Sequence, residues 1–151
     1  MKTISTIKVF LIAAISCIMV SNHAQADNDR PTTLNKMPAK AQEFVAKYFP
    51  GTEITLAKEE GYFLGKTYDI IFKDGNQIEF NRNGEWTKVS CRTNYVPDKV
   101  IPAPILQYLQ QNYPDAKVKE IEKDDRNYEL NLTNRVELKF NSSFQLIDAD
   151  F

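Results

Sequence analysis

The acidic side chains are the residues of this chain with the clearest potential for catalysis or metal binding. They come in close pairs at Glu59–Glu60 and Asp124–Asp125, and again at Asp148 and Asp150. A glycoside hydrolase needs two carboxyl groups flanking a cleft, roughly 5 Å or 6.5–9.5 Å apart, and nothing in the sequence singles out such a pair. A calcium loop needs oxygen ligands at alternating positions, a spacing that the segment after Asp124 lacks. The pairs are more typical of solvated turns, so we predict no metal site.

The first residues have the pattern of an export signal. Lys2 and Lys8 are followed by the apolar run Val9–Val20 and by small residues that end at Ala26. The run is too short to span a bilayer comfortably, and we expect cleavage after Ala26. The alternative is a lipoprotein signal with Cys17 lipidated, which is disfavoured because the apolar run continues beyond that cysteine.

Removal of residues 1–26 would limit the catalysis open to the chain. The single histidine, His23, lies in the predicted leader, so the mature chain has no imidazole to activate Ser90, Ser142 or Ser143. It has no Gly-x-Ser-x-Gly elbow, no glycine-rich phosphate loop, and one thiol, Cys91, which cannot make the usual zinc site alone. We therefore predict that the protein is not an enzyme and has no cofactor, and that Cys91 is buried.

The mature chain is mildly acidic. The 151 residues less the 26 of the leader leave 125, which is the size of one domain. Loss of the two leader lysines leaves 17 basic against 20 acidic side chains, a balance of −3. Because nucleic-acid binding relies on dense positive charge, we expect no nucleic-acid partner. The mature sequence also contains no predicted transmembrane segment.

The mature chain contains an internal repeat. Met37–Pro50 matches Ile101–Pro114 at a shift of 64 residues, and Gln77–Asn81 matches Glu137–Asn141 at a shift of 60. The difference falls in the segment around Glu60–Lys66, where the first repeat has the longer connection. The predicted boundaries are a flexible N-terminal segment over 27–36 and a domain over 37–151, with repeats at 37–91 and 101–151 joined by a linker.

Each repeat begins with a helix and continues as strands. Ala41, Phe44, Val45 and Tyr48 have the spacing of one helix face, and prolines stand where the helix should begin and end. The period then changes to two, as in antiparallel strands with one buried face. The prediction is an α+β fold, a tandem repeat of one helix packed on a four-stranded antiparallel meander, with two small sheets.

These elements, together with Asp74-Gly75, Ile78–Asn81 and Gly84–Trp86, resemble a known family. The chain looks like the PepSY-like, β-lactamase-inhibitor-like domain of exported proteins from Gram-negative bacteria, over about Met37 to Asp148. The resemblance implies a fold like that of β-lactamase inhibitory protein, with a concave sheet face, and a periplasmic location. Because Arg135 and Phe144 stand where the first repeat has Gly75 and Gly84, we expect the turns of the two repeats to differ.

Two features are candidate binding sites. Tyr62, Phe63 and Leu64 lie between two glycines in the segment that breaks the repeat symmetry, and aromatic residues are enriched at binding surfaces. The alternative is that they only cover the edge of the core. Trp86 is the single tryptophan, and its counterpart is Leu146. That match favours a packing position over a role on the open sheet face.

The leading hypothesis is an exported, non-catalytic binding or inhibitor-like module that acts through its sheet face and the aromatic loop. Its partner is expected to be a protein or peptide of the cell envelope. The sheet-face residues expected to contribute are Asp69, Lys73, Gln77, Glu79, Glu129, Asn131, Glu137 and Lys139. The alternatives are a small carboxylate-dependent hydrolase and a structural subunit of an envelope assembly.

Overall fold

The computed structural model describes residues 29–62 and 65–151. The predicted leader and the loop residues Phe63 and Leu64 therefore lie outside the described residues. The described residues contain two α-helices, α1 (Ala39–Tyr48) and α2 (Ala103–Asn112). The strands are β1 (Arg30–Pro31), β2 (Ile54–Glu60), β3 (Thr67–Phe72), β4 (Gln77–Asn81), β5 (Trp86–Ser90), β6 (Val118–Lys123), β7 (Asn127–Leu132), β8 (Glu137–Asn141) and β9 (Leu146–Asp150).

The nine strands form one antiparallel sheet in which every strand pairs with its sequence neighbour. The mixed helix-and-strand fold is confirmed, but the prediction of two small sheets is wrong. Strand β5 pairs with β6 through Lys88 and Glu122, Val89 and Ile121, and Ser90 and Glu120. Each of these two strands would otherwise leave a row of unpaired backbone groups, so their pairing joins the halves β2–β5 and β6–β9 into a continuous surface.

The core lies between this sheet and the two helices, which pack on the same face. A row of apolar side chains, one from each of β2 to β9, runs directly across the sheet beneath the helices. Its members are Ala57, Ile70, Ile78, Val89, Ile121, Leu130, Leu138 and Ala149. All but Ala149 are buried. Helix α1 places Phe44 edge-on to Phe80, and α2 places Tyr108 edge-on to Phe140.

Proline residues explain where each helix begins and ends. Pro38 and Pro102 precede the first helical residues, where the missing N–H has no helical partner in any case. The last turns close with Phe49 N–H donating to the Val45 carbonyl and Tyr113 N–H donating to that of Leu109. The next residue in each case is a proline, which disfavours helical backbone before it.

The N-terminal segment and the linker are both attached to the sheet. Arg30 and Pro31 pair with Glu59 and Lys58 as a two-residue edge strand that the sequence pattern did not predict. In the linker, Val96 is buried and donates its N–H to the Val118 carbonyl. No helix within residues 29–62 and 65–151 is long and apolar enough to cross a membrane.

Candidate functional site

The face of the sheet opposite the helices, here called the open face, carries a row of charged side chains. The row runs through eight strands, each member directly opposite the next, so that the charged groups are nearest cross-strand neighbours. Its members, from β2 to β9, are Lys58, Asp69, Glu79, Lys88, Glu122, Glu129, Lys139 and Asp148. Each member is adjacent in sequence to a member of the apolar row, because side chains alternate between the two faces.

A second row of the open face runs parallel to the first. Its members are Leu56, Ile71, Gln77, Ser90, Glu120, Asn131, Glu137 and Asp150. The two rows together hold eight carboxylates and three lysines. Strands β2–β5 supply two carboxylates and two lysines, and strands β6–β9 supply six carboxylates and one lysine. The negative charge of the open face is therefore concentrated on β6–β9.

The first lysine of the charged row joins three segments. The Lys58 ammonium lies 2.9 Å from Asp29 Oδ2 and 3.3 Å from Asp69 Oδ2, and it also pairs with Glu60. These hydrogen bonds raise the pKa of Lys58, the one to Glu60 contributing most. Lys58 thus ties the N-terminal segment to β2 and β3.

The other two lysines neutralise only part of the charge on β6–β9. Lys88 Nζ lies 3.1 Å from Glu120 Oε1 and 3.5 Å from Glu122 Oε2, so it bridges the junction between β5 and β6. Lys139 Nζ lies 2.5 Å from Glu129 Oε1. Within the described residues, no cation lies in ion-pair contact with Glu137, Asp148 or Asp150, and all three side chains are exposed.

Two neighbouring carboxyl groups of the charged row have raised pKa values. Burial raises the pKa of Asp69 to about 6, helped by a hydrogen bond with Glu60 and by the charge of Glu79, against the opposing effect of Lys58. Burial also raises the pKa of Glu79, against the nearby charge of Lys88. Such shifts are common at catalytic sites, but these two side chains lie on the pleated surface of the open face.

The aromatic loop lies between β2 and β3, beside the edge strand β1. Tyr62 is 54% exposed, and Arg30 donates a hydrogen bond to its hydroxyl at 3.3 Å while lying over its ring. Gly61 and Gly65 close the loop tightly, since a Cβ on Gly61 would lie 2.6 Å from the Gly65 carbonyl oxygen. Of the three loop residues predicted from the sequence, Tyr62 is therefore at the surface, next to a cation.

Trp86 lies on the helix side of the sheet, so the alternative role on the open face is wrong. A bulge in β5 places Trp86 opposite the core residue Phe80 instead of on the face that bears Lys88. The indole packs 6.3 Å from the Phe44 ring, and Lys123 Nζ lies 4.4 Å above it. The structure places Trp86 and the open-face row on opposite sides of the sheet.

The comparisons with known proteins agree with this architecture. Residues 66–148 match the family described as "Putative beta-lactamase-inhibitor-like, PepSY-like". The chain belongs to this family. No curated protein matches the chain significantly.

Three solved structures resemble this PepSY-like chain. A "putative calcium-regulated periplasmic protein" of Bacteroides thetaiotaomicron is 47% identical, with a TM-score of 0.80 over 83% of this chain and 99% of that one. A "putative periplasmic protein" of the DUF2874 family from Bacteroides vulgatus is 42% identical, with a TM-score of 0.81 at the same coverage. A second periplasmic protein of B. vulgatus, of unknown function, is 33% identical, with a TM-score of 0.75 over 82% and 99%. These relatives support a periplasmic location for the chain, but not the alternative of a lipid anchor at Cys17.

The words "calcium-regulated" are used of the B. thetaiotaomicron relative. Calcium takes six to eight oxygen ligands. Within residues 29–62 and 65–151, no group of three or more acidic, histidine or cysteine side chains is placed to hold a metal ion. At the most acidic end of the open face, Lys139 stands between Glu129 and Asp148 in the charged row.

Proposed function

We propose that this PepSY-like protein is an exported, non-catalytic module that binds a protein or peptide partner through the open face, with the aromatic loop at its edge. The observation that carries the proposal is the concentration of negative charge on strands β6–β9. Complementary charge steers encounter and selects partners, so the partner is expected to present basic side chains to this half of the sheet.

The open face suits a contact surface for two reasons. Both helices pack on the other side of the sheet, so the open face is not covered by them. It also combines carboxylates without ion-pair partners on β8 and β9 with apolar side chains on β2 and β3, where Leu56 is 42% exposed. A partner could therefore gain both charge contacts and apolar burial.

Site-specific photocrosslinking in the native envelope tests the location. A photoreactive residue is placed at Asn131, an exposed member of the second row, and in a matched strain at Gln111, an exposed residue of α2. We expect a discrete crosslinked product from position 131 and none from position 111. Equal yields of the same product from both positions, or no product from 131, would count against the open face. Because one relative is described as calcium-regulated, each reaction is run with calcium and with a chelator.

Charge variants test what the partner recognises. The triple change Glu137→Gln, Asp148→Asn and Asp150→Asn removes the three carboxylates of β8 and β9 that have no ion-pair partner among the described residues. The matched control removes the same charge elsewhere, at the exposed residues Glu43, Asp115 and Asp125. We expect the first variant to lose the crosslink at position 131 and the control to keep it. Loss in both would mean that net charge matters and not its placement.

The aromatic loop is tested separately. Alanine at Tyr62 and Phe63 should weaken the contact by about 1–4 kcal/mol if these residues are hot spots. Capture of the partner that is unchanged by the double substitution would remove the loop from the proposal and leave the charged half of the sheet in place.

A carboxylate-dependent hydrolase is the second candidate, favoured by the raised pKa values of the neighbours Asp69 and Glu79. Its weakness is that both side chains lie on the pleated surface of the open face. Turnover of any member of a panel of glycan and peptide substrates, abolished by Asp69→Asn, would establish this candidate in place of the first. A structural role in an envelope assembly is the third, and it predicts a concentration-dependent mass for the purified protein.

The proposal also includes an origin of the sheet by tandem repetition. The halves β2–β5 and β6–β9 each follow one helix and have bulges at matching positions, after Ile54 and Val118 and again after Glu79 and Lys139. If they are copies of one unit, the acidic surface belongs to one copy alone, and a single partner site is expected for each chain.

A further inference from the structure

The helix side of the sheet has an open groove of about 770 Å³ between the C-terminal end of α1 and the start of α2. Aromatic and apolar side chains line much of it, among them Tyr48, Trp86, Leu106, Tyr128 and Phe144. The Tyr128 and Phe144 rings are in contact, with their centroids 5.4 Å apart. Grooves of this size that are rich in aromatic residues are typical of ligand sites.

Three lysines, Lys47, Lys99 and Lys123, also line the groove, against one acidic residue, Asp98. None of these lysines has a carboxylate within ion-pair distance among residues 29–62 and 65–151, whereas each lysine of the open-face rows has at least one. Two of the groove lysines lie over aromatic rings instead. Lys123 Nζ is 4.4 Å from the centre of the Trp86 ring, and Lys47 Nζ is 5.0 Å from that of Tyr48.

Lys123 is held in this position at an energetic cost. Burial lowers its pKa, with a smaller opposing effect from Glu85. The Glu85 carboxylate is already engaged, because Lys40 donates a hydrogen bond to it at 2.7 Å. A half-buried ammonium without a direct carboxylate partner favours any ligand that brings one, since charged groups away from water are stabilised chiefly by pairing.

We propose that the groove binds an acidic peptide segment that carries an apolar side chain. Its carboxylates would contact Lys47 and Lys123, and its apolar side chain would pack on Trp86 and Phe144. This site is independent of the one on the open face, because it lies on the other side of the sheet and has the opposite charge. The protein would thus bind basic surfaces on one side and acidic segments on the other.

Trp86 is the only tryptophan of the chain, so its fluorescence reports directly on the groove. The full mature chain is titrated with a short peptide in which glutamates flank a Leu-Phe pair. The control peptide has lysines in place of the glutamates. We expect a saturable change in emission with the acidic peptide alone, weakening as salt is added because exposed charge contacts are screened.

Two double variants, each of which removes two positive charges, test where the peptide binds. Lys47→Gln with Lys123→Gln should weaken binding of the acidic peptide about tenfold. Lys36→Gln with Lys117→Gln removes two exposed lysines outside the groove and should leave the affinity unchanged.

Three results would overturn the proposal. The first is equal binding of both peptides, or of the acidic peptide to the Lys47/Lys123 variant. The second is a response to vesicles of phosphatidylglycerol and not to the acidic peptide, which would make the groove a lipid site. The third is a change in emission with protein concentration alone, accompanied by a larger mass in sedimentation, which would make a second copy the occupant. None of these results depends on whether the open face binds a partner.

Discussion

Gly84 and Phe144 adopt the same left-handed backbone conformation at the same position of two hairpins, with φ of 77° and 61°. In each turn an asparagine side chain, Asn81 or Asn141, accepts hydrogen bonds from the backbone N–H groups two and four residues later. The expectation that these turns differ between the two repeats is therefore wrong. The residue types differ because position 84 faces α1, whereas Phe144 packs on Tyr128 beside the groove.

Gly84→Ala should destabilise the protein more than Gly51→Ala. Both glycines have positive φ, but a Cβ at position 84 would lie 2.7 Å from Pro38 Cβ and 3.0 Å from Ala41 N, whereas one at position 51 meets nothing within 4 Å. We expect a loss of about 1 kcal/mol at position 51, from backbone strain alone, and roughly 2–4 kcal/mol at position 84, where a clash is added. Urea unfolding measures both, and equal losses would contradict the contact with α1.

Arg135→Gly should stabilise the protein. Arg135 is exposed and has φ of 68°, and Gly75 stands at the equivalent position with φ of 82°. A left-handed conformation costs a residue with a side chain about 1–2 kcal/mol, and the added entropy of an unfolded glycine offsets part of that gain. The expected net effect is about +0.5 kcal/mol in the free energy of unfolding. Asn134→Ala is the control, and it should destabilise because the Asn134 side chain accepts the Val136 N–H.

Asp69→Asn should stabilise the protein at neutral pH and not in acid. The pKa of Asp69 in the folded protein is about 6, above its ordinary value of 3.8, so the folded state binds this proton more tightly than the unfolded state does. That contribution to stability is full below pH 3.8 and is lost as the pH rises through 6. The asparagine variant should therefore be more stable than wild type by roughly 1–2 kcal/mol at about pH 8. Lys58 keeps Asp29 and Glu60 as partners in the variant.

The stability difference between wild type and the Asp69→Asn variant, measured at a second pH, tests whether the ionisation of Asp69 is its cause. Near pH 3.5 the two proteins should unfold at nearly the same urea concentration, because the wild-type carboxyl group is then protonated in the folded state. A gain in stability that persists unchanged in acid would show that it comes from packing and not from the ionisation of Asp69.

Cys91 should resist thiol reagents until the protein unfolds. Its side chain is 2% exposed, as the sequence analysis predicted, and burial raises the pKa of the thiol to about 11. Because the thiolate is the reactive form, we expect negligible modification by a disulfide reagent at about pH 8 in the native state. Complete modification is expected in urea. Rapid labelling of the native protein would show that β5 opens locally near its C-terminal end.

The sequence predicted the elements of the fold better than their assembly. Helical spacing and flanking prolines located α1 and α2, and alternation indicated the antiparallel strands that follow each helix. The strand β1 was missed because two residues are too few to show alternation. The pairing of β5 with β6 was missed because alternation identifies the buried face of a strand and not its neighbours.

The candidate site was predicted only in part for a related reason. Asp69, Glu79, Glu129 and Lys139 were expected on the open face, but the continuous row depends on register, and bulges shift that register by one residue. The bulge in β5 also moves Trp86 to the helix side. The sequence analysis did not single out the groove lysines. Lys123 nevertheless falls on the helix side of β6, where a charged residue among apolar neighbours is unusual and indicates a functional role.

The sequential order of the strands has a consequence for how quickly the chain can fold. From β3 onward, each strand can pair with a strand that directly precedes it in the sequence, so only short loops need to close, except where α2 intervenes between β5 and β6. Proteins dominated by such local contacts fold faster than those in which distant segments must meet. Folding of this sheet can therefore advance hairpin by hairpin along the chain, and the slowest closure is expected where the β5–β6 junction must form around α2.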